Sequence, residues 1–378
     1  MSAKPTGNPV SAAGPAPDAA ASPATAAPLL EVVDLCTGFH TPRGLVRAVD
    51  HVSIAVRPEE TLGIVGESGS GKSVFARSVM GLIAPGQRVE RTGRIMFAGR
   101  DLVRLPRREL RKMWGSEIAM VLQDPLTSLN PVTRIGRQIS ETVRRHRPEL
   151  SRGEAEAASV ELLRSVGIPE PAKRMHAYPH QLSGGMRQRV GIAIALAGNP
   201  RLLFADEPTT ALDVTVQHQI LDLLGRQQAE RHMAMVLVTH DLGVVATRTD
   251  RIAVMYAGRI VETAPTRTLF ANVMMPYTRA LLDALPRLEE PSHTRLNAIP
   301  GHPPNLAVPM PGCRFADRCP AARRKCREQE PPLVQADDPE HSYRCWYPVG
   351  SPEYESSAAA GTETTERSGS DQGAMRER

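Results

Sequence analysis

Aromatic residues are scarce, 4% of 378, with six phenylalanines, six tyrosines and two tryptophans. Single-stranded nucleic acid is commonly held by bases stacking on such rings, and no stacking motif accompanies the basic clusters at Arg104 to Lys112 and Arg144 to Arg147. Nucleic acid is therefore not the expected partner. The clusters suit an anionic membrane surface or solvated helix faces. No apolar run approaches the roughly 18 to 20 residues that span a bilayer, so the chain is not itself a pore. Residues 1–28, rich in alanine and proline, have no apolar core segment. They read as a disordered arm rather than a signal peptide or lipid-anchor motif, and residues 351–378 read as a disordered tail. No internal repeat occurs. A formal charge of +5 is only mildly basic, and 41% hydrophobic residues suffice for one large domain plus an appendage.

What is present begins with Gly66-Glu67-Ser68-Gly69-Ser70-Gly71-Lys72-Ser73, between the apolar run Leu62 to Val65 and a helical pattern from Val74 to Ile83. This order of strand, glycine loop and helix turns successive N–H groups around a phosphate. Lys72 then reaches its β and γ oxygens, and the Ser73 hydroxyl suits Mg²⁺. The helix N-terminus adds roughly 0.3–1 kcal/mol of favourable interaction with an anion. A simple tight turn would not need Lys-Ser at its end. Only one such loop occurs, and by itself it indicates a bound nucleoside triphosphate and no more.

Three further apolar runs end in polar groups. Arg201 to Ala205 leads into Asp206-Glu207-Pro208, a buried strand delivering two acids to the sheet edge where open α/β folds bind ligands. Asp206 would hold Mg²⁺ and Glu207 would polarise the attacking water; capping a helix near Pro208-Thr209-Thr210 would use one acid, not both. Met235 to Val238 leads to Thr239-His240-Asp241 and sets His240 within reach of a γ-phosphate. Ile118 to Leu122 ends in Gln123, a candidate to ligate Mg²⁺ and orient water, or an ordinary strand-end amide. Lastly, Leu182-Ser183-Gly184-Gly185-Met186-Arg187-Gln188-Arg189 reads as a helix start with Ser183 as N-cap, which is itself an anion site.

These motifs, in this order, resemble the ATP-binding subunits of ABC transporters from about Leu30 to Pro348. The resemblance implies an α/β, P-loop (RecA-like) nucleotide-binding domain over 29–270, with an antiparallel β subdomain and a helical subdomain at about 130–183. It makes Gly66 to Ser73 the Walker A loop, with Gly66, Ser68, Gly69, Ser70, Gly71, Lys72, Ser73 and Val74 around ATP. Gln123 becomes the Q-loop, Asp206-Glu207 Walker B, Ala211-Leu212-Asp213 the D-loop and His240 the switch. Ser183, Gly184, Gly185 and Gln188 would face a nucleotide held by a second ATPase subunit, packed head to tail. Phe39 is the best match for the adenine-stacking ring, although the Thr41-Pro42-Arg43-Gly44 turn leaves plain core as its alternative. Asp124 to Asn130 and Met175 to His180 become candidate contacts for two membrane permeases.

Beyond a hairpin read over Arg251 to Val261, with its turn at Tyr256-Ala257-Gly258-Arg259, composition shifts. Region 271–350 is proline-rich and holds four of the five cysteines, spaced Cys313-x5-Cys319-x6-Cys326-x18-Cys345. Disulfides suit a cytosolic ATPase poorly, and the tight pairs usual for zinc are absent. Four wider-spaced thiolates suit a [4Fe–4S] cluster, with zinc or free structural thiols as alternatives and His302 and His341 as possible substitute ligands. Pro276 to Leu282 and Gly312-Cys313-Arg314-Phe315-Ala316-Asp317-Arg318-Cys319-Pro320 resemble the C-terminal extension of peptide-importer ATPases, some of which carry an iron–sulfur cluster. The implied function is ATP hydrolysis that energises di- or oligopeptide import at the cytoplasmic face of a bacterial membrane, alongside an extracytoplasmic binding protein. A nickel or metal-chelate importer subunit and a soluble, non-transport ABC ATPase are the alternatives.

Overall fold

Two sheets are separated by sequence pattern. In a computed structural model describing residues 27–42, 44–83, 88–124, 129–210, 212–285 and 298–357, the smaller sheet contains β1 (Leu30–Thr41), β2 (Gly44–Val56), β4 (Val89–Phe97) and β5 (Arg100–Asp101), in the order β2-β1-β4-β5. Neighbours are antiparallel, and their buried and exposed residues partly alternate, as one solvated face demands. The larger sheet contains β3 (Thr61–Val65), β6 (Ile118–Val121), β7 (Leu202–Asp206), β8 (Ala234–Thr239), β9 (Arg251–Tyr256), β10 (Arg259–Pro265), β11 (Val334–Gln335) and β12 (Ser342–Tyr343). Its order is β11-β12-β10-β9-β3-β8-β7-β6, and the five strands from β9 to β6 are parallel.

Every residue of β3, β7 and β8 is buried, because parallel strands are covered on both faces. Their side chains alternate between two cores. Leu62, Ile64, Phe204 and Val236 face Phe75 and the antiparallel sheet. Val65, Leu203, Ala205 and Leu237 face the helical subdomain through Ile139, Leu163 and Val190. Each such side chain contributes roughly 1.5–3 kcal/mol by burial, so the sheet is tied to both sides. The helical subdomain contains Ile135–His146 and Arg152–Ser165, the latter opened by a Ser151/Glu154 capping box.

The hairpin turn falls at Ala257 and Gly258, both at positive φ, as the tightest hairpins require. Two sequence expectations change here. No helix starts at Pro208: the next helix is Val214–Glu230, capped by Asp213, so neither Asp206 nor Glu207 serves as a cap. The chain is also ordered past 351. Residues 352–357 are helical, Tyr354 is buried, and Arg323 Nε donates to Ser357 Oγ at 2.9 Å. Residues 358–378, and most of the arm read at 1–28, lie outside the described residues, as does Ala211. The extension does not stand apart, since β12 pairs with β10 and adds its edge to the ATPase sheet.

Candidate active site

The phosphate loop leaves β3 and enters helix Lys72–Met80, whose N-cap is Gly71 at φ +106°. A Cβ at Gly71 would run into the Ala48 carbonyl of β2, so both the backbone and the space require glycine. No side chain caps this helix, and its first N–H groups remain available to an anion. Lys72 Nζ donates to the carbonyls of Gly66 (2.7 Å) and Glu67 (3.0 Å), folded back over the loop. Burial pushes its pKa down, opposed by the carboxylates of Glu207, Asp206 and Glu67. Ser68 and Gly69 are exposed, while Ser73 and Val74 are half-buried at the helix start.

Strands β7 and β8 bring their terminal groups to the same edge. Ser73 Oγ donates to Asp206 Oδ1 at 2.7 Å. Asp206 Oδ2 is buried without a hydrogen-bond partner, and the Arg77 guanidinium lies 3.9 Å away. Burial raises the Asp206 pKa against the pull of Ser73 and Arg77. A hydroxyl beside an orphaned carboxylate oxygen is a donor set that fits Mg²⁺. Glu207 accepts from Gln123 Nε2 (2.9 Å) and from Thr210 Oγ1 (3.0 Å), and its other oxygen lies 3.6 Å from His240 Nδ1. Three elements far apart in sequence thus meet at one carboxylate. Thr210 was not singled out by sequence, although its place three residues after Glu207 was the available signal.

The Leu182-Ser183-Gly184-Gly185 motif opens helix Gly184–Leu196, and the exposed Ser183 accepts from Met186 N at 3.3 Å. Gly184 and Gly185 face Leu212 and Val216. Asp213 is exposed beside them. Gln188 differs from expectation: it is 2% exposed, inside its own subunit rather than on the outward end of the helix. Phe39 is half-buried on β1, paired with Val46 on β2 and Val89 on β4. Arg134, Arg137, Arg144, Met175, His176 and Tyr178 line a broad groove on the helical subdomain. Of the segment Asp124 to Asn130, residues 125–128 lie outside the described residues.

In the extension, Cys313, Cys319, Cys326 and Cys345 surround one small apolar pocket. Burial, together with charge on neighbouring thiols, pushes Cys313 and Cys345 up to about 12 and Cys319 up to about 11. Among the described residues no three of these sulfurs lie mutually within 4.8 Å. His341 does not line that pocket; it is fully buried, with Nε2 2.9 Å from Glu262 Oε1. Sequence reading took the Cys313–Cys319 motif for its cysteines and missed Arg318, whose guanidinium grips the Glu67 carboxylate of the phosphate loop at 2.6 and 2.8 Å.

Residues 49–210 match the family described as ABC transporter, and residues 261–326 match the oligopeptide/dipeptide transporter C-terminal region. The chain is 49% identical over 318 residues to the oligopeptide transport ATP-binding protein OppD of Bacillus subtilis (strain 168), covering 84% of this chain and 88% of that protein. It is 48% identical over 328 residues to OppD of Salmonella typhimurium, covering 87% and 96%. Among solved structures it is similar to the ATP-binding cassette MJ0796 in a dimeric post-hydrolysis state bound to ADP and Pi. There the TM-score is 0.56 and the identity 28%, covering 63% of this chain and 99% of that one.

Proposed function

From the premise that the chain belongs to the ABC transporter family of ATP-binding proteins, we propose that it binds and hydrolyses ATP to energise import of di- or oligopeptides. The observation that carries this reading is the meeting of Gln123, Thr210 and His240 around Glu207, beside the Ser73–Asp206 pair and the phosphate loop. Lys72 and the loop amides would hold the β and γ phosphates, and Ser73 and Asp206, with Gln123, would hold Mg²⁺. When bound, the metal would supply neutralisation of the charge that develops on the phosphate. Glu207 takes the proton of the attacking water, which Gln123 and His240 orient.

The outward Ser183-Gly184-Gly185 face and Asp213 meet the nucleotide of a second, related ATPase subunit, in keeping with the dimeric cassette to which the chain is similar. Phe39 stacks on adenine. The groove at Arg134 to Tyr178 receives two permease subunits at the cytoplasmic face of the membrane, and an extracytoplasmic binding protein supplies cargo. Among the described residues no helix is long and apolar enough to cross a membrane. The matched C-terminal region and the OppD relatives support peptide as that cargo. The cysteine group would hold a [4Fe–4S] cluster, a reading supported by the convergence of its four thiols on one apolar pocket. Thiols must lose protons to bind it, so loading is favoured as pH rises.

The test is purification of the intact complex from detergent-solubilised membranes. Two permeases and a second ATPase are expected, with hydrolysis stimulated by a peptide-loaded binding protein. Stimulation by a nickel-loaded protein instead would replace the cargo, and recovery with ribosomes or DNA would overturn transport. Iron and acid-labile sulfide in equal amounts are expected; zinc without iron would overturn the cluster.

A further inference from the structure

We propose that Arg318 is a positioning residue of the nucleotide site, mounted on the loop between Cys313 and Cys319 and acting through Glu67. The inference rests on the ATP-binding reading of the phosphate loop. All five guanidinium N–H groups of Arg318 find acceptors. Nη1 and Nη2 bind the two Glu67 carboxylate oxygens at 2.6 and 2.8 Å, in the bidentate geometry that gives such pairs strength and direction. The other three contacts are Nε to Pro300 O (2.8 Å), Nη2 to Ile299 O (3.4 Å) and Nη1 to Tyr256 Oη (3.3 Å). The extension, together with Tyr256 of β9, therefore fixes the fork before Glu67 meets it. The Arg318 side chain is only 5% exposed and that of Glu67 25%, so the pair is partly shielded from water.

Glu67 is gripped through its main chain as well. Its N–H donates to Tyr277 Oη at 2.9 Å, and its carbonyl accepts from Lys72 at 3.0 Å. The cysteine-bearing loop also reaches the far end of the phosphate loop. Arg314, adjacent to Cys313, binds Asp50 of β2 and the Ala257 carbonyl, and the next residue, Gly258, donates its N–H to Ser70 O at 2.8 Å.

Two consequences follow for a polyphosphate in this loop. Arg318 cancels the one carboxylate within the loop that would repel it, and it stops Glu67 from rotating the adjacent amides away. An ion pair that merely stabilises the fold would do neither.

Mg-ATP affinity of the full chain, and KM and kcat of the assembled transporter, separate these roles. In Arg318→Gln the Mg-ATP dissociation constant and KM are expected to rise roughly tenfold with kcat nearly unchanged. Glu67→Gln added to Arg318→Gln should recover most of that loss, because the bare carboxylate is gone. Arg318→Lys should fall between, since an ammonium cannot make the bidentate pair. A lowered unfolding midpoint with wild-type affinity in Arg318→Gln would overturn the proposal, as would a double variant worse than either single one. If Arg318→Gln does not fold, Arg318→Lys decides, and an unchanged KM there overturns it. Lys72→Ala serves as the control. Wild-type Mg-ATP binding in Lys72→Ala would fail the phosphate-loop reading itself, whereas loss there with wild-type affinity in Arg318→Gln fails only the positioning role.

Discussion

Glu207 adopts φ +44°, a left-handed backbone that a residue with a Cβ occupies at a cost of roughly 1–2 kcal/mol. The surroundings enforce it: its N–H donates to Val238 O at 2.9 Å, and Gln123 and Thr210 bind its carboxylate. Strain held in place by β8, by Gln123 and by its own turn marks a side chain that must point one way. Glu207→Gln keeps the shape and removes the base, so nucleotide binding is expected to persist while turnover falls by roughly 10² to 10⁴. Phosphate release by the assembled transporter, beside a binding titration, checks this, and steady hydrolysis in the variant would remove Glu207 from the role of base. The acids at 206 and 207 were legible as residues because each strand ends where its apolar run ends. The Glu67 contact was not legible, since its arginine lies 251 residues further on and nothing local announces the pairing.

At the scale of elements, strand, loop and helix around the phosphate site were readable because all three signals are local. The apolar run became β3, and the helix begins at Lys72 rather than Val74 because the glycine cap already completes the turn. The helix imagined at Pro208 failed for the opposite reason. Its proline and threonines resemble a helix start, but the acids before them are drawn to Ser73 and Gln123 instead. Gly71 is where local and tertiary demands coincide, with positive φ and the Ala48 carbonyl in the path of any side chain. Gly71→Ala must therefore move β2 or the loop itself. It is expected to destabilise the protein by several kcal/mol, beyond the roughly 1–2 kcal/mol of the backbone alone, and to abolish Mg-ATP binding. Thermal unfolding with and without Mg-ATP measures both effects, and near-wild-type stability would mean that β2 yields without cost.

Across the whole molecule, the parallel sheet is a wall shared by two cores. The extension is built into one of them through Phe315, with Cys313, Cys319 and Cys345 packed against it. Composition placed a division near residue 270, because proline content and cysteine change there. Pairing in space does not respect it: β12 completes the sheet beyond β10, and Arg314 and Arg318 reach back to Asp50 and Glu67. Two regions sharing a sheet edge, a core and buried ion pairs should lose structure together. The two tryptophans provide the probes, one on each side of the supposed division. Trp114 packs against the core facing the antiparallel sheet and donates to Met80 O, while Trp346 donates to Gln329 O in the extension. Variants retaining one tryptophan each, Trp346→Phe and Trp114→Phe, are expected to report a common thermal midpoint. An earlier transition seen by Trp346 alone would mean that the extension opens while the ATPase sheet stays folded. Because Arg318 rides on that extension, such opening would also release Glu67, so Mg-ATP should then raise the midpoint reported by Trp346.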